Sequence, residues 1–328
     1  MSKKIMIVGG AGFVGAYLAR DLADRGDKVV IFDIRKPSDE LKFILHGSKN
    51  GIIFVYGSCV QLSDLIQTAR EHQIENIVHL AALQDVVYAN MHPLAAYEIN
   101  LLGTINVLET ARLLKLGRIV YGSTTGVYIP RQYDPMDEKH PMFSPVSGHP
   151  VGHYGGSKAA ADIAALTYYS TNDVDVVGVR LSNVYGFGMW AHMYIRPAIE
   201  NLVKGKPTHY ELGSDALFDS TYVKDAARGT LLALDADGKK LKQRLFLIAQ
   251  GKLNSGEDAA QAIREIEPDI DVQVGPGMTD MQAKFFRTTL DISKAREQLG
   301  YEPEFDLKSG IAEYISLQRA YAEYKASQ

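Results

Sequence analysis

The chain is nearly devoid of cysteine: Cys59 stands alone, so no internal disulfide can form and nothing argues for a cysteine-built metal site. It also lacks any apolar run approaching the roughly 20 residues that span a bilayer. Lys3-Lys4 before Ile5-Met6-Ile7-Val8 imitates a signal peptide, but glycines interrupt the run at once and no small-residue cleavage site follows. Blocks of like charge, internal repeats and low-complexity linkers are missing too. With 35 basic and 39 acidic residues the net charge is -4, which offers no basic surface to a nucleic acid. The expectation is a cytoplasmic globular protein with no membrane and no nucleic-acid partner.

What is present suits a large core: 46% of the 328 residues are hydrophobic, enough for one large or two modest domains. Short apolar runs, Ile5 to Val8, Val29 to Asp33, Ile52 to Tyr56, Ile77 to Leu80, Arg118 to Tyr121 and Val174 to Arg180, alternate with amphipathic stretches of helical length. Helices are expected over Gly12 to Asp24, Gln61 to His72, Pro93 to Leu114 and Tyr154 to Tyr169. The pattern predicts an α/β fold, a Rossmann-type doubly wound parallel sheet over residues 1–180. After Arg180 the alternation loosens, and residues 181–328 are expected to form a smaller α/β substrate-binding lobe, with an approximate boundary and some crossing of the chain between the two. Its helices would include Ile195 to Val203, Lys224 to Leu234 and Leu307 to Ala320, with strands near Thr208 to Glu211 and Arg244 to Ile248.

The first strand runs into Gly9-Gly10-Ala11-Gly12-Phe13-Val14-Gly15. Glycines at positions 9, 12 and 15 allow a tight turn and a close backbone approach to a pyrophosphate at a helix N-terminus. Asp33 ends the second strand about twenty residues on, where a carboxylate accepts the adenosine ribose hydroxyls and repels a 2′-phosphate. NAD is therefore expected over NADP, although Arg35 two residues later offers a phosphate partner.

Downstream lies Tyr154-Gly155-Gly156-Ser157-Lys158, preceded by the hydroxyl cluster Ser123-Thr124-Thr125. In a helix the i, i+4 spacing puts the Tyr154 phenol and the Lys158 ammonium on one face. A cation there is expected to lower the phenol pKa and fit it for proton exchange with a substrate hydroxyl, which Thr124 or Ser123 would orient. His149 and His153 share the same spacing, but Pro150 and Gly152 oppose a helix between them, and they are expected to be loop histidines without a metal.

With these motifs the chain resembles the extended short-chain dehydrogenase/reductase superfamily, and within it the NAD-dependent epimerase/dehydratase family typified by UDP-galactose 4-epimerase. The resemblance also rests on His79-Leu80-Ala81-Ala82, Asn100-Leu101-Leu102-Gly103-Thr104 and Arg180-Leu181-Ser182-Asn183-Val184-Tyr185-Gly186. It implies Thr124, Tyr154 and Lys158 as the catalytic set, with Ser123 competing for the hydroxyl role. Cofactor contacts would come from Gly9, Gly12, Phe13, Val14, Gly15, Asp33, Ile34, Arg35, Ser58, Cys59, Leu80, Ala81, Ala82 and Asn100, besides Tyr154 and Lys158. Gln84, Thr125, Asn183, Trp190 and His192 would face a polyhydroxylated small substrate. It further implies a homodimer paired through the helices Pro93 to Leu114 and Tyr154 to Tyr169.

Departures from the family pattern fall mostly on the substrate side. Ser58, not a carboxylate, follows Gly57. Ala216-Leu217-Phe218-Asp219-Ser220 stands where nucleotide-sugar enzymes place an arginine for the diphosphate, and a second such arginine is missing around Gln282-Ala283-Lys284. Lys284, Arg287 or Arg196 would have to substitute. Thr125-Gly126 replaces the acidic pair of the dehydratases, removing their elimination acid and base. Three readings follow: an NAD-dependent dehydrogenase or epimerase of a sugar-like alcohol, a nucleotide-sugar 4-epimerase proper, and a non-catalytic NAD(H)-sensing protein.

Overall fold

The computed structural model describes residues 2–48, 51–146, 148–190, 195–278 and 288–327. Its strands are β1 (Lys4–Val8), β2 (Lys28–Asp33), β3 (Ile52–Tyr56), β4 (Asn76–His79), β5 (Ile119–Thr124), β6 (Val176–Leu181), β7 (Asn183–Tyr185), β8 (Thr208–Tyr210), β9 (Phe218–Tyr222), β10 (Leu245–Ile248), β11 (Leu253–Asn254) and β12 (Val272–Val274). Seven of them form one parallel sheet in the order β10-β6-β5-β4-β1-β2-β3. The chain is thus an α/β protein of the Rossmann type. Two small sheets, β11-β9-β7 and β12-β8, lie outside it.

Alternation along each strand divides the core into two layers. Ile5, Ile7, Val29, Ile31, Val78 and Val120 pack on the side of α1 (Phe13–Arg25) and of a later helix, Val223–Asp235. Met6, Val8, Val30, Phe32, Ile77 and Ile119 pack on the side of the helices Leu62–Glu71, Gly103–Leu114 and Gly152–Asn172. Both faces being covered, the strands read as unbroken apolar runs rather than alternating ones.

The strand expected over Arg244 to Ile248 joins the seven-stranded sheet rather than either small one. As β10 it pairs with β6, with Leu245 opposite Gly178 and Ile248 opposite Leu181. The physical reason is its composition: Leu245-Phe246-Leu247-Ile248 is buried throughout, which a two-faced sheet satisfies and a small edge sheet does not. The chain therefore crosses back over the boundary expected near residue 180. The helix expected over Pro93 to Leu114 is also interrupted, by a wider π turn at Glu98–Leu102 between Pro93–Tyr97 and Gly103–Leu114. At this turn the buried Asn100 amide accepts from Leu83 N at 2.8 Å and donates to Leu83 O at 3.1 Å and Ser157 Oγ at 2.9 Å. No helix among the described residues is long and apolar enough to cross a membrane.

If β10 completes the central sheet, Phe246→Ala removes a fully buried ring and is expected to cost about 3–5 kcal/mol. Denaturant unfolding followed by tryptophan fluorescence and by circular dichroism should show one coincident transition, displaced as a whole. Two transitions of which only one moves would contradict a shared core.

Candidate active site

The turn after β1 and the turn after β4 touch backbone to backbone. Gly9 has φ +84, and a Cβ there would lie 2.3 Å from Ala81 N, so only glycine allows the approach. Leu80 N and Ala81 N both donate to Val8 O, at 2.7 and 2.9 Å. Gly15 closes the same turn, since its Cβ would fall 2.6 Å from Gly9 O. α1 begins beyond Gly12 with no side-chain cap and no acidic residue in its first turn. The N–H groups of Phe13, Val14 and Gly15 are therefore left for an anion.

Asp33 sits beside this turn at the end of β2, accepting from Ala11 N at 3.1 Å and Arg35 N at 3.2 Å. Burial pushes its carboxyl pKa up, while these backbone donors pull it down. Ile34 and Arg35 are exposed next to it. After β3, Ser58 N donates to Asp64 Oδ2 at 3.2 Å, so a carboxylate does reach this loop, from the following helix. The Cys59 thiol is buried, against Gly103, and burial pushes it up to about 11. A glycine cradle, an uncapped helix start and a carboxylate at the β2 end fit a dinucleotide.

At the end of β5 the hydroxyls divide between the two faces of the strand. Thr124 meets the Tyr154 phenol; a Cβ on Gly126 would lie 3.3 Å from Thr124 Oγ1 and 3.4 Å from the Tyr154 ring. Ser123, one residue earlier, points to the other side, where its Oγ is buried without a hydrogen-bond partner among the described residues. Tyr154 and Lys158 lie one turn apart on the helix Gly152–Asn172, as expected.

Their electrostatics differ from expectation. The Lys158 Nζ donates to Gly122 O at 2.5 Å, and burial lowers its pKa to about 8, opposed by Asp162 and Cys59. The Tyr154 pKa is raised, not lowered: burial dominates, and the Thr124 hydrogen bond offsets only part of it. In this geometry burial holds Tyr154 as a protonated phenol, while the Lys158 ammonium donates to Gly122 O.

On the substrate side Gln84 is exposed and Thr125 opens the short 3-10 turn Thr125–Val127. Asn183 begins β7 opposite Ser220 of β9. Trp190 is 46% exposed, whereas the neighbouring Phe187 and Met189 are buried in the core. His192, Lys284 and Arg287 lie outside the described residues. Arg196 is already engaged, by Glu200 at 2.7 Å and by Met189 O. His149 accepts from Val151 N through Nδ1 and meets Val127 O through Nε2 at 2.8 Å, latching the loop before the helix Gly152–Asn172. His153 stands edge-on to Tyr97.

Two buried groups escaped the sequence reading of the site. Asp219 accepts from Ser182 Oγ, Thr221 Oγ1, Gln250 N and Gly251 N, joining β9 to the turn after β10. Asp162 lies one further turn along the helix Gly152–Asn172, and its i+4 spacing from Lys158 is the available signal.

A parallel sheet of this order with its glycine turn and Tyr–Lys helix defines the dinucleotide-binding fold of the short-chain dehydrogenase/reductases. Residues 6–314 match the family model described as GDP-mannose 4,6 dehydratase. The chain belongs to this family, in the extended, NAD-dependent epimerase/dehydratase branch of those enzymes. It is 30% identical over 322 residues to a putative UDP-glucose 4-epimerase of Methanocaldococcus jannaschii, covering 95% of this chain and 97% of the relative. Among solved structures it is similar to a UDP-glucose 4-epimerase of Thermotoga maritima, with TM-score 0.82, 23% identity and coverage of 97% and 99%. A partial-consensus L-threonine 3-dehydrogenase gives TM-score 0.81 at 25% identity, again covering 97% and 99%.

The depressed Lys158 pKa carries a sign that stability measurements can read. Between about 8 and its ordinary 10.5 the unfolded chain holds the proton and the folded chain does not. Unfolding free energy, measured without added cofactor, should therefore rise with pH across that window, by on the order of 3 kcal/mol at most. Lys158→Met should flatten the difference between urea midpoints taken at its two ends; an unchanged slope would contradict a buried ammonium.

Proposed function

We propose that the chain is an NAD-dependent oxidoreductase or epimerase acting at a secondary alcohol or ketone of a sugar-like substrate, with Tyr154 as acid and base. The observation that carries this reading is the meeting of Thr124 and Tyr154 one helical turn from buried Lys158. NAD, when bound, accepts or returns the hydride at the carbinol carbon. Tyr154 exchanges the proton of the same oxygen, and Thr124 holds that oxygen in place. As a protonated phenol Tyr154 is set to donate to a ketone; taking a proton from an alcohol requires the Lys158 charge to turn from Gly122 O toward the ring. Gly9, Gly12 and the first turn of α1 would seat the pyrophosphate, and Asp33 the adenosine ribose, which disfavours a 2′-phosphate.

Dehydration draws no support from Thr125-Gly126, which supply no carboxylate after Thr124. A nucleotide-sugar 4-epimerase is the second reading, favoured by the 30% identical relative. Against it, Ala216 to Ser220 supply no arginine for a diphosphate, and Arg196 is committed to Glu200. Incubating the protein with NAD and either nucleotide sugars or free sugars and sugar acids separates the two: inversion without net NADH supports the epimerase, steady NADH the dehydrogenase.

Tyr154→Phe is expected to lower turnover by about 100-fold to 10,000-fold while NAD binding is retained. Unchanged turnover would remove Tyr154 from the chemistry.

We also infer a homodimer. Val87, Met91, Leu94 and Ile163 are exposed apolar residues on the helices Val86–Met91, Pro93–Tyr97 and Gly152–Asn172, which pack on one another. Light scattering should give twice the chain mass, reduced by Leu94→Asp. A monomeric wild type at micromolar concentration would contradict the pairing.

A further inference from the structure

Lys158 is 2% exposed, and the hydrogen-bond acceptor the structure gives its ammonium is a neutral carbonyl, Gly122 O. A charge so placed needs an opposite charge nearby. Tyr154, Lys158 and Asp162 follow at i, i+4 and i+8 along one face of the helix Gly152–Asn172. Asp162 is fully buried. It accepts from Tyr121 Oη at 2.9 Å and from Arg180 Nε at 3.0 Å and Nη2 at 2.9 Å. Arg180, on β6, continues outward. Its Nη1 donates to Tyr128 Oη at 3.0 Å and Glu138 O at 2.9 Å, its Nη2 to Met142 Sδ at 2.9 Å, and its guanidinium lies over the Tyr128 ring. Residues 128–142 are the stretch of chain that leads from Thr124 toward the loop before Tyr154.

We propose that Asp162 and Arg180 are positioning residues for the Tyr154–Lys158 pair: Asp162 keeps the buried ammonium charged, and Arg180 ties that carboxylate to the segment 128–142. The proposal rests on the reading of Tyr154 and Lys158 as the proton-handling face.

The other groups around Lys158 do not supply the counter-charge. Cys59, from the loop after β3, is held protonated by burial, with its pKa up at about 11. His79, at the end of β4, is held neutral by burial and by Lys158 itself, with its pKa down at about 3. Tyr121, on β5, is kept protonated by burial and the Asp162 charge, and Tyr154 by burial. Ser123 carries no charge. Asp162 raises the Lys158 pKa against the desolvation that lowers it.

NMR of isotope-labelled lysine in the full chain, with Lys158 assigned by the loss of its signal in Lys158→Arg, reads the titration midpoint without any substrate. The result is thus independent of whether the proposed reaction is right. Asp162→Asn should move the midpoint to lower pH by about one unit or more. Arg180→Gln, which leaves the carboxylate without its cation, should move it up, and Asp162→Glu should leave it near the wild-type value. A midpoint unmoved by Asp162→Asn, or moved in the same direction by Asp162→Asn and Arg180→Gln, overturns the proposal. Should Asp162→Asn fail to fold, an unmoved midpoint in Arg180→Gln overturns it equally.

Discussion

Burial of the Lys158 ammonium between the helix Gly152–Asn172 and the sheet constrains everything near it. To bring that side chain to Gly122 O, the helix Gly152–Asn172 must press its first turn onto the loops that precede it, and small residues make this approach sterically feasible. A Cβ on Gly155 would lie 2.1 Å from the His149 ring, and one on Gly152 would lie 2.1 Å from Asn90 Oδ1. Gly156 faces the Tyr97 hydroxyl, 3.2 Å from where its Cβ would be. The glycines around Tyr154 are therefore a packing requirement of the lysine's position as much as a mark of kinship.

The same logic operates at the cofactor end, where Gly9 meets Ala81. Two turns that follow β1 and β4, neighbours in the sheet, are drawn together, and the Asp33 carboxylate is braced by Ala11 N from the first of them. The glycine turn and the Thr124–Tyr154 pair are in this way set by the C-terminal ends of interior strands of one sheet. The small sheet β11-β9-β7 is attached through Asp219, which gathers donors from Ser182, Thr221 and the turn after β10, so that Asn183 at the start of β7 is held relative to the large sheet.

Much of this was legible in the sequence because it depends on local spacing. β1 to β6 are apolar runs whose limits agree with the structure within three residues, and the Tyr154–Lys158 face follows from helical periodicity alone. What was not legible depends on long-range geometry. Leu245 to Ile248 reads as a strand anywhere, and only the sheet shows which partner it takes. The π turn at Asn100 is a response to contacts with Leu83 and Ser157 that no local pattern announces. The sign of the Tyr154 shift was misjudged because spacing places a lysine near a tyrosine but does not say where the ammonium points or how deeply the phenol is buried.

The glycine turn, the start of α1 and Asp33 fit a seat for NAD beside the Tyr–Lys pair. Calorimetric titration of the protein, stripped of any copurifying nucleotide, with NAD and with NADP tests it most directly. One NAD per chain, with NADP bound at least about tenfold more weakly through repulsion at Asp33, is the predicted result. No binding of either dinucleotide, or NADP bound more tightly than NAD, would contradict it.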